Sequence, residues 1–475
     1  MGQFKYMYNR GVTKFLNSLT VLFIILYTIA SATVSLNRYW QHQTAYYDFG
    51  VIDKAIWEVS RFREPLVDHH DLGDKNISIF ASHFSPSVFL LSPLYWLTDK
   101  AEALLFAQSL LAGIGAYIGY LLARRQIKSK IAIFALIFSF LGYVGLQNGL
   151  ISEFHDTTLS VLPLMVIFWS IFQKKWVLYF ISLIILLGLK ESFAGLGVGI
   201  GLYILIKDRS QIKIALSTIL ISLLWGYLAL KIIIPYYSGG FYLYESSSLP
   251  GDPVNFLRAF FEPEMKVKTI FYSFLTFGFL PVFNPAILPA IFENFLERFV
   301  LSPFSSRWDL GLHYNTPLSP LMFIGALGVF QILEKMKKRR VVILLSIFMI
   351  LSTLILHRFI LRGPLGLFYH PVFYEQNKYS QYVDEFLEKV PKEGVIYTQN
   401  SLAGRLAHFN VKTFRKDYKT INPDHIILDL TDGQTENSFS PLRHAQVVEL
   451  KNSLLKDPNY KLEKYGNELY VFSKI

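Results

Sequence analysis

The sequence predicts a mostly α-helical protein, a polytopic membrane bundle of about eleven helices (1–368) followed by a small α/β domain (369–475). Three observations predict it. Of the 475 residues 52% are hydrophobic and only 17% charged, a balance that soluble domains rarely reach. Apolar runs near the ~20 residues that cross a bilayer recur through most of the chain. Beyond Tyr369 the pattern changes to polar residues with strand-like and helix-like pieces in alternation.

The first apolar run, 15–36, follows Lys5, Arg10 and Lys14. The "SATVS" near its end approaches a small-residue cleavage site without completing one, so an uncleaved first span is expected. Further runs lie at 101–122, 131–147, 158–172, 176–189, 193–206, 212–234, 269–283, 286–301, 317–333 and 341–357. Several are shorter than a single crossing, which requires tilt within a bundle or burial in protein. Residues 84–97, "FSPSVFLLSPLYWL", are apolar but short and hold two prolines, predicting an interfacial or re-entrant piece.

With the N-terminus in the cytoplasm, the clusters Arg124–Lys130, Lys174–Lys175, Lys207–Lys213 and Lys335–Arg340 all fall on that side, as the positive-inside rule requires. Topology, rather than nucleic acid, then accounts for the net charge of +11. The loops at 37–100, 148–157, 190–191, 235–268 and 302–316 fall outside, together with everything after about residue 357. The expected location is the cell membrane, with the C-terminal domain extracytoplasmic. In that domain "VDEFLEKV" and "AQVVELKNSLL" read as helices, and "GVIYTQN", "HIILDL" and "ELYVFSK" as strands. There is no cysteine, which excludes disulfides, thiol nucleophiles and Cys-ligated metals. P-loop, G-x-G-x-x-G and H-E-x-x-H patterns are absent.

Candidate chemistry gathers on the outer side. If 49–61 is a helix, Ile52, Ala55, Ile56 and Val59 form its apolar face, with Lys54, Glu58 and Arg61 opposite. Asp48 projects onto the middle of the apolar face, so it aims at the bundle as a catalytic group or ligand, or caps the helix. Asp53, at the edge, reads as a solvated residue. In "SEFHDTT", Glu153 and His155 point the same way along an extended segment, as two metal ligands or a ligand and a base would, unless this is a plain polar loop. Asp156 reads as a cap for the following span. Lys190 and Glu191 read as an anion clamp with its orienting carboxylate, or as a snorkelling lysine at the head groups. His69 and His70 point opposite ways and read as surface residues, whereas His83 enters the interface beside Phe84 and Pro86. Arg307, His313 and Tyr314 reach the outer face before a late span, where Arg suits phosphate and Tyr suits sugars or the aromatic belt.

The order and spacing of these pieces resemble a known family. D-x-G-x-x-D at Asp48–Asp53, "HFSP" with "PLY", "LLARR", "EFH", "LKE" and "HY" are similar to those of the domain-of-unknown-function 2079 family of predicted membrane proteins. That family is grouped by similarity with the GT-C glycosyltransferases. The resemblance implies a sugar transfer from a polyprenyl-phosphate donor to an extracytoplasmic acceptor (lipid, glycan or protein). It implies Asp48 as the first-loop acidic residue, acting as general base or metal ligand, and Glu153 with His155 as a diverged second motif. Asp48, Glu153 and His155 would hold a divalent cation such as Mg or Mn, and His83, Lys190, Glu191, Arg307, His313 and Tyr314 would bind substrate. Glu-x-His departs from the clan's D-x-D-like pattern, which puts the metal in question. The implied partners are the lipid bilayer, the lipid-linked sugar and the acceptor, with no nucleic acid. Two other classes compete: a transporter or flippase without covalent chemistry, and a receptor whose outer domain binds a partner. The first predicts charges at mid-span and internal symmetry, neither of which the sequence displays.

Overall fold

A computed structural model describes residues 2–244, 247–375, 378–415, 417–466 and 468–475, with side chains from residue 15 onward. The side chains of Lys5, Arg10 and Lys14 lie outside the described residues.

Among the described residues six helices are long and apolar enough to cross a membrane: Phe15–Trp40, Glu102–Gln126, Asp156–Gln173, Arg209–Ser238, His313–Lys335 and Arg339–Ile360. A seventh crossing is made if Lys130–Gly142 and Val144–Ser152, bent by 46° at Tyr143, count as one broken span. The apolar helices Trp176–Leu187 and Phe193–Lys207 are shorter, with 12 and 15 residues. The expected run 269–283 divides between the end of helix Glu264–Thr276 and a turn at Leu280–Phe283. The run 286–301 holds only the nine-residue helix Leu288–Leu296 and a π-turn. The difference from eleven has a physical reason: apolar runs signal burial, and a helix buried among other helices in a bundle is as apolar as a spanning one.

Helix Phe193–Lys207 packs through glycines. A Cβ on Gly199 would stand 2.6 Å from the Cα of Ala290, so only glycine permits this approach of two backbones. The lysine-bearing connections at 128–130 and 335–339 meet at one end of the bundle. The acidic and His-bearing loops meet at the other.

The outer loop 37–100 is compact. It holds a π-turn at Tyr46–Gly50, the helix Val51–Ser60, and a two-stranded antiparallel ribbon, β1 (Leu66–Val67) with β2 (Ile77–Ser78). Residues Pro86–Trp96 form a 3-10 helix too short to span. The C-terminal domain has a five-stranded mixed sheet of β3 (Ile396–Thr398), β4 (Val411–Thr413), β5 (His425–Asp429), β6 (Tyr460–Tyr465) and β7 (Leu469–Lys474). Its order is β4-β3-β5-β7-β6, parallel across β4-β3-β5 and antiparallel across β5-β7-β6. The helices Lys378–Lys389 and His444–Leu454 and the strands β3, β5 and β7 lie where the sequence predicts them. β4 and β6 are additions. β6 is largely exposed and polar, and β4 is only three residues long, so neither carries an apolar strand signal.

One apolar cluster joins the outer loop to this domain: Tyr46, Val51, Ala55, Val67 and Ile79 pack with Val383, Phe386, Leu402 and Leu406. A small helix, Asn400–Ala403, lies on the Tyr46–Gly50 turn, and Asn400 Oδ1 accepts the Tyr47 backbone N–H at 2.9 Å. A Cβ on Gly404 would come within 3.3 Å of the backbone at Ala45 and Tyr46. The helix Val51–Ser60 is therefore covered on both sides. Its polar face is buried too, with Lys54 ion-paired to Glu58 at 2.8 Å and donating to the carbonyls of His408 and Phe409.

Candidate active site

A cavity of about 220 Å³ opens where the outer connections converge. Its wall includes Asp48, His83, His155, Lys190, Arg307, His313 and Tyr314, drawn from five separate stretches of chain. Glu153 and Glu191 stand behind the wall.

Asp48 sits in the π-turn rather than in the helix, and it caps nothing: no side-chain bond forms at the start of Tyr46–Gly50 or of Val51–Ser60. It is exposed, and what it is exposed to is the cavity, deep between loops. Among the described residues its carboxylate has no hydrogen-bond or ion-pair partner. Loss of water around it raises its pKa above the ordinary aspartate value, and the Lys190 ammonium opposes that rise.

Lys190 is buried and ion-paired to Asp156 at 3.6 Å, and its Nζ stands 5.6 Å from the Tyr314 ring centre. Burial works against its charge, but Asp156, Tyr314 and Glu191 outweigh burial and hold the ammonium above the ordinary lysine value. Glu191 orients a different residue from the one expected. Its Oε1 meets His83 Nδ1 at 2.8 Å and accepts from Tyr242 at 2.6 Å, while Oε2 accepts the Phe84 N–H at 3.2 Å. Burial pushes its carboxyl up, yet His83, Lys190 and Tyr242 together hold it well below the usual range. His83 in turn stacks on Tyr244, with ring centres 4.6 Å apart and planes 5° from parallel.

On the opposite wall Arg307 pairs with Glu297 at 3.1 Å, its guanidinium 4.7 Å from the Tyr314 ring. His155 stacks on His313 at 3.7 Å, and His313 on Tyr314 at 4.1 Å. Burial, and then Lys190, push His155 down to about 3, so it is a neutral imidazole near pH 7. Tyr47 closes a further side, donating to Asp71 at 2.7 Å and lying 3.3 Å from the Tyr244 hydroxyl.

Several sequence readings change here. Asp53 is buried rather than solvated: the Tyr95 hydroxyl bonds it, and His408 Nε2 lies 3.1 Å away. His69 is buried and lines the cavity against Tyr47. Asp156 is the partner of Lys190, and it also accepts the Thr157 N–H at 2.6 Å. Glu153 Oε1 accepts the Ala45 N–H at 3.2 Å, and Oε2 is buried without a hydrogen-bond partner. Burial and the nearby Asp48 charge raise Glu153 well above the usual carboxylate range, outweighing Arg38 and the Ala45 amide. Asp48, Glu153 and His155 do not form a ligand set, and among the described residues no group of three or more His, Asp or Glu side chains is arranged to hold a metal ion. Tyr47 and Tyr244 went unassigned in the sequence; the only signal for them is an aromatic next to Asp48 and the tyrosine-rich "FYLYE".

Residues 38–471 match the model of a family described as "Predicted membrane protein (DUF2079)". No curated protein matches the chain in sequence. Among solved structures the fold is similar to that of ArnT from Cupriavidus metallidurans bound to undecaprenyl phosphate, with 11% identity and a TM-score of 0.53. The apo form of that protein gives 9% identity and a TM-score of 0.52. Each match covers 95% of this chain and 98% of the other. At this identity the likeness is one of fold.

Proposed function

Because the chain belongs to the DUF2079 family and carries a GT-C fold, we propose that it is a membrane glycosyltransferase. It moves a sugar from a polyprenyl-phosphate donor to an acceptor hydroxyl on the extracytoplasmic side, with its N-terminus in the cytoplasm. The observation that carries this reading is Asp48: an unpartnered carboxylate in a cavity that also contains Lys190, His83 and Arg307.

In this reading the donor's isoprenoid tail lies among the helices and its phosphate lies against Lys190 and Arg307. The acceptor hydroxyl attacks the anomeric carbon, the bond from that carbon to the phosphate oxygen breaks, and Asp48 takes the hydroxyl proton. Negative charge grows on the departing polyprenyl phosphate and is met by the two cations, which are held in place beforehand by Asp156 and Glu297. Glu191 keeps His83 at the wall, where it can hydrogen-bond the sugar or the phosphate. The raised pKa of Asp48 brings the base nearer to the pH at which it works, and general-base help of this kind contributes on the order of 10² to 10⁴ in rate.

The test uses the full chain in proteoliposomes with a panel of radiolabelled polyprenyl-phosphate sugars. Covalent transfer of label to an acceptor supports the reading. Movement of the intact lipid-linked sugar across the bilayer with no covalent product replaces it with transport.

A further inference from the structure

A second cavity, of about 470 Å³, lies at the end of the bundle remote from the candidate active site. Its wall combines two chemistries. Lys128, Lys130, Lys337 and Arg339 supply positive charge, and Leu16, Ile131, Val342 and Ile343 supply apolar surface. The one acidic residue there, Glu334, is already engaged: its two carboxylate oxygens accept the backbone N–H groups of Lys128 and Ser129, both at 2.7 Å. Among the described residues none of the four cations has an ion-pair partner. Four cations without an ion-pair partner thus line one cavity beside a carboxylate that is already engaged, and an anion entering it would meet net positive charge.

We propose that this cavity is a binding site for an anionic phospholipid, with the phosphate among Lys128, Lys130, Lys337 and Arg339 and the first part of an acyl chain along Leu16, Ile131, Val342 and Ile343. The apolar half of the wall selects a lipid over a free phosphate. Leu16 lies in the first spanning helix, Ile131 in the bent pair, and Val342 and Ile343 in the last spanning helix, so chains entering here lie alongside the bundle. Basic pockets between helices at the cytoplasmic face are suited to phosphate head groups. A lipid here ties the first, third and last spanning elements together without touching the chemistry at the other end. The proposal is independent of the transferase reading.

The experiment is native mass spectrometry of the full chain, released from micelles after titration with dioleoylphosphatidylglycerol, dioleoylphosphatidylcholine or inorganic phosphate. The expected result is a preference for the glycerol lipid over the choline lipid on the order of tenfold or more, with phosphate weaker than either. The triple substitution Lys128→Gln, Lys337→Gln, Arg339→Gln should abolish that preference. A control with the same charge loss at the same end, Lys174→Gln, Arg209→Gln, Lys213→Gln, should keep it. Equal affinity for the two lipids, or equal loss in the triple variant and the control, overturns the proposal. Inorganic phosphate binding as tightly as phosphatidylglycerol would make the site one for a soluble anion and overturn it as well.

Discussion

Replacing Asp68 by Asn should loosen the C-terminal domain from the outer loop. Asp68 is a buried carboxylate whose partners all come from the C-terminal domain except for the loop around it. Arg415 grips it in a fork, Nη2 to Oδ1 at 2.7 Å and Nη1 to Oδ2 at 2.8 Å. Lys412 Nζ adds a contact to Oδ1 at 3.1 Å, and Thr413 donates to Oδ2 through its N–H at 2.8 Å and its hydroxyl at 2.9 Å. Both cations are themselves buried, with side chains 8% and 9% exposed, so solvent screens little of the interaction. An asparagine keeps the shape but leaves Lys412 without an ion pair and Arg415 with only Asp74 at 3.6 Å; breaking a buried ion pair from one side costs about 3–5 kcal/mol, and the surviving Asp74 contact favours the lower figure. Taking the lower figure, the ratio of docked to undocked domain falls roughly a hundredfold. Amide hydrogen exchange in detergent reads this directly at β4 and at Tyr47, whose N–H is capped by Asn400. Exchange there should quicken while that of the helix Glu102–Gln126 stays as it was. The pH dependence has a fixed sign. Burial pushes Asp68 up, but Arg415 and Lys412 win and hold its folded pKa below the ordinary value. Its contribution is therefore complete above about pH 4 and disappears as pH falls through the folded pKa. Unchanged exchange in the Asp68→Asn protein at pH 7 would refute this account of how the domain is held.

Other perturbations have equally definite outcomes. Gly404→Val should reduce transfer activity while the protein still folds, because a side chain there presses on the Ala45–Tyr46 backbone and displaces the turn bearing Asp48; wild-type kinetics would show that the turn tolerates the shift. Glu191→Gln should lower the melting temperature, since a buried acceptor of three bonds loses its charge at a cost of about 1–3 kcal/mol. Because Glu191 is held below its ordinary value, that stabilisation is present above about pH 4.3 and lost on acidification. Lys190→Ala should slow turnover at saturation more than it weakens donor binding, because its ammonium meets charge that grows only as the phosphate departs, and the measurement is the split between KM and kcat. Activity should rise with pH through a midpoint above about 3.9, since the base must be ionised and its pKa is raised.

The sequence reading and the structure agree best where a pattern is long. The first span, the bundle and the alternating tail carry period and composition over many residues, and they lie where expected. Asp48, His83, His155, Lys190, Arg307, His313 and Tyr314 share one cavity; counting sides of the membrane is what brought their loops together. Pairings were not legible. That Glu191 serves His83, and Asp156 serves Lys190, depends on which way side chains turn at two span junctions, and neighbours in sequence suggested otherwise. Lys54 and Asp53 read as surface residues, yet His408 and Phe409 of the C-terminal domain cover them from hundreds of residues away, and no local period encodes that cover. By length and composition six or seven helices qualify as crossings among the described residues, and the shorter apolar helices Trp176–Leu187 and Phe193–Lys207 account for other expected runs.

The most direct measurement is the initial rate of sugar transfer by the Asp48→Asn protein, with binding of polyprenyl phosphate measured on the same preparation. Loss of roughly 10² or more in kcat, with binding and melting close to wild type, is the predicted result. Transfer at the wild-type rate would contradict it, because a cavity built around that carboxylate would then do its chemistry without it.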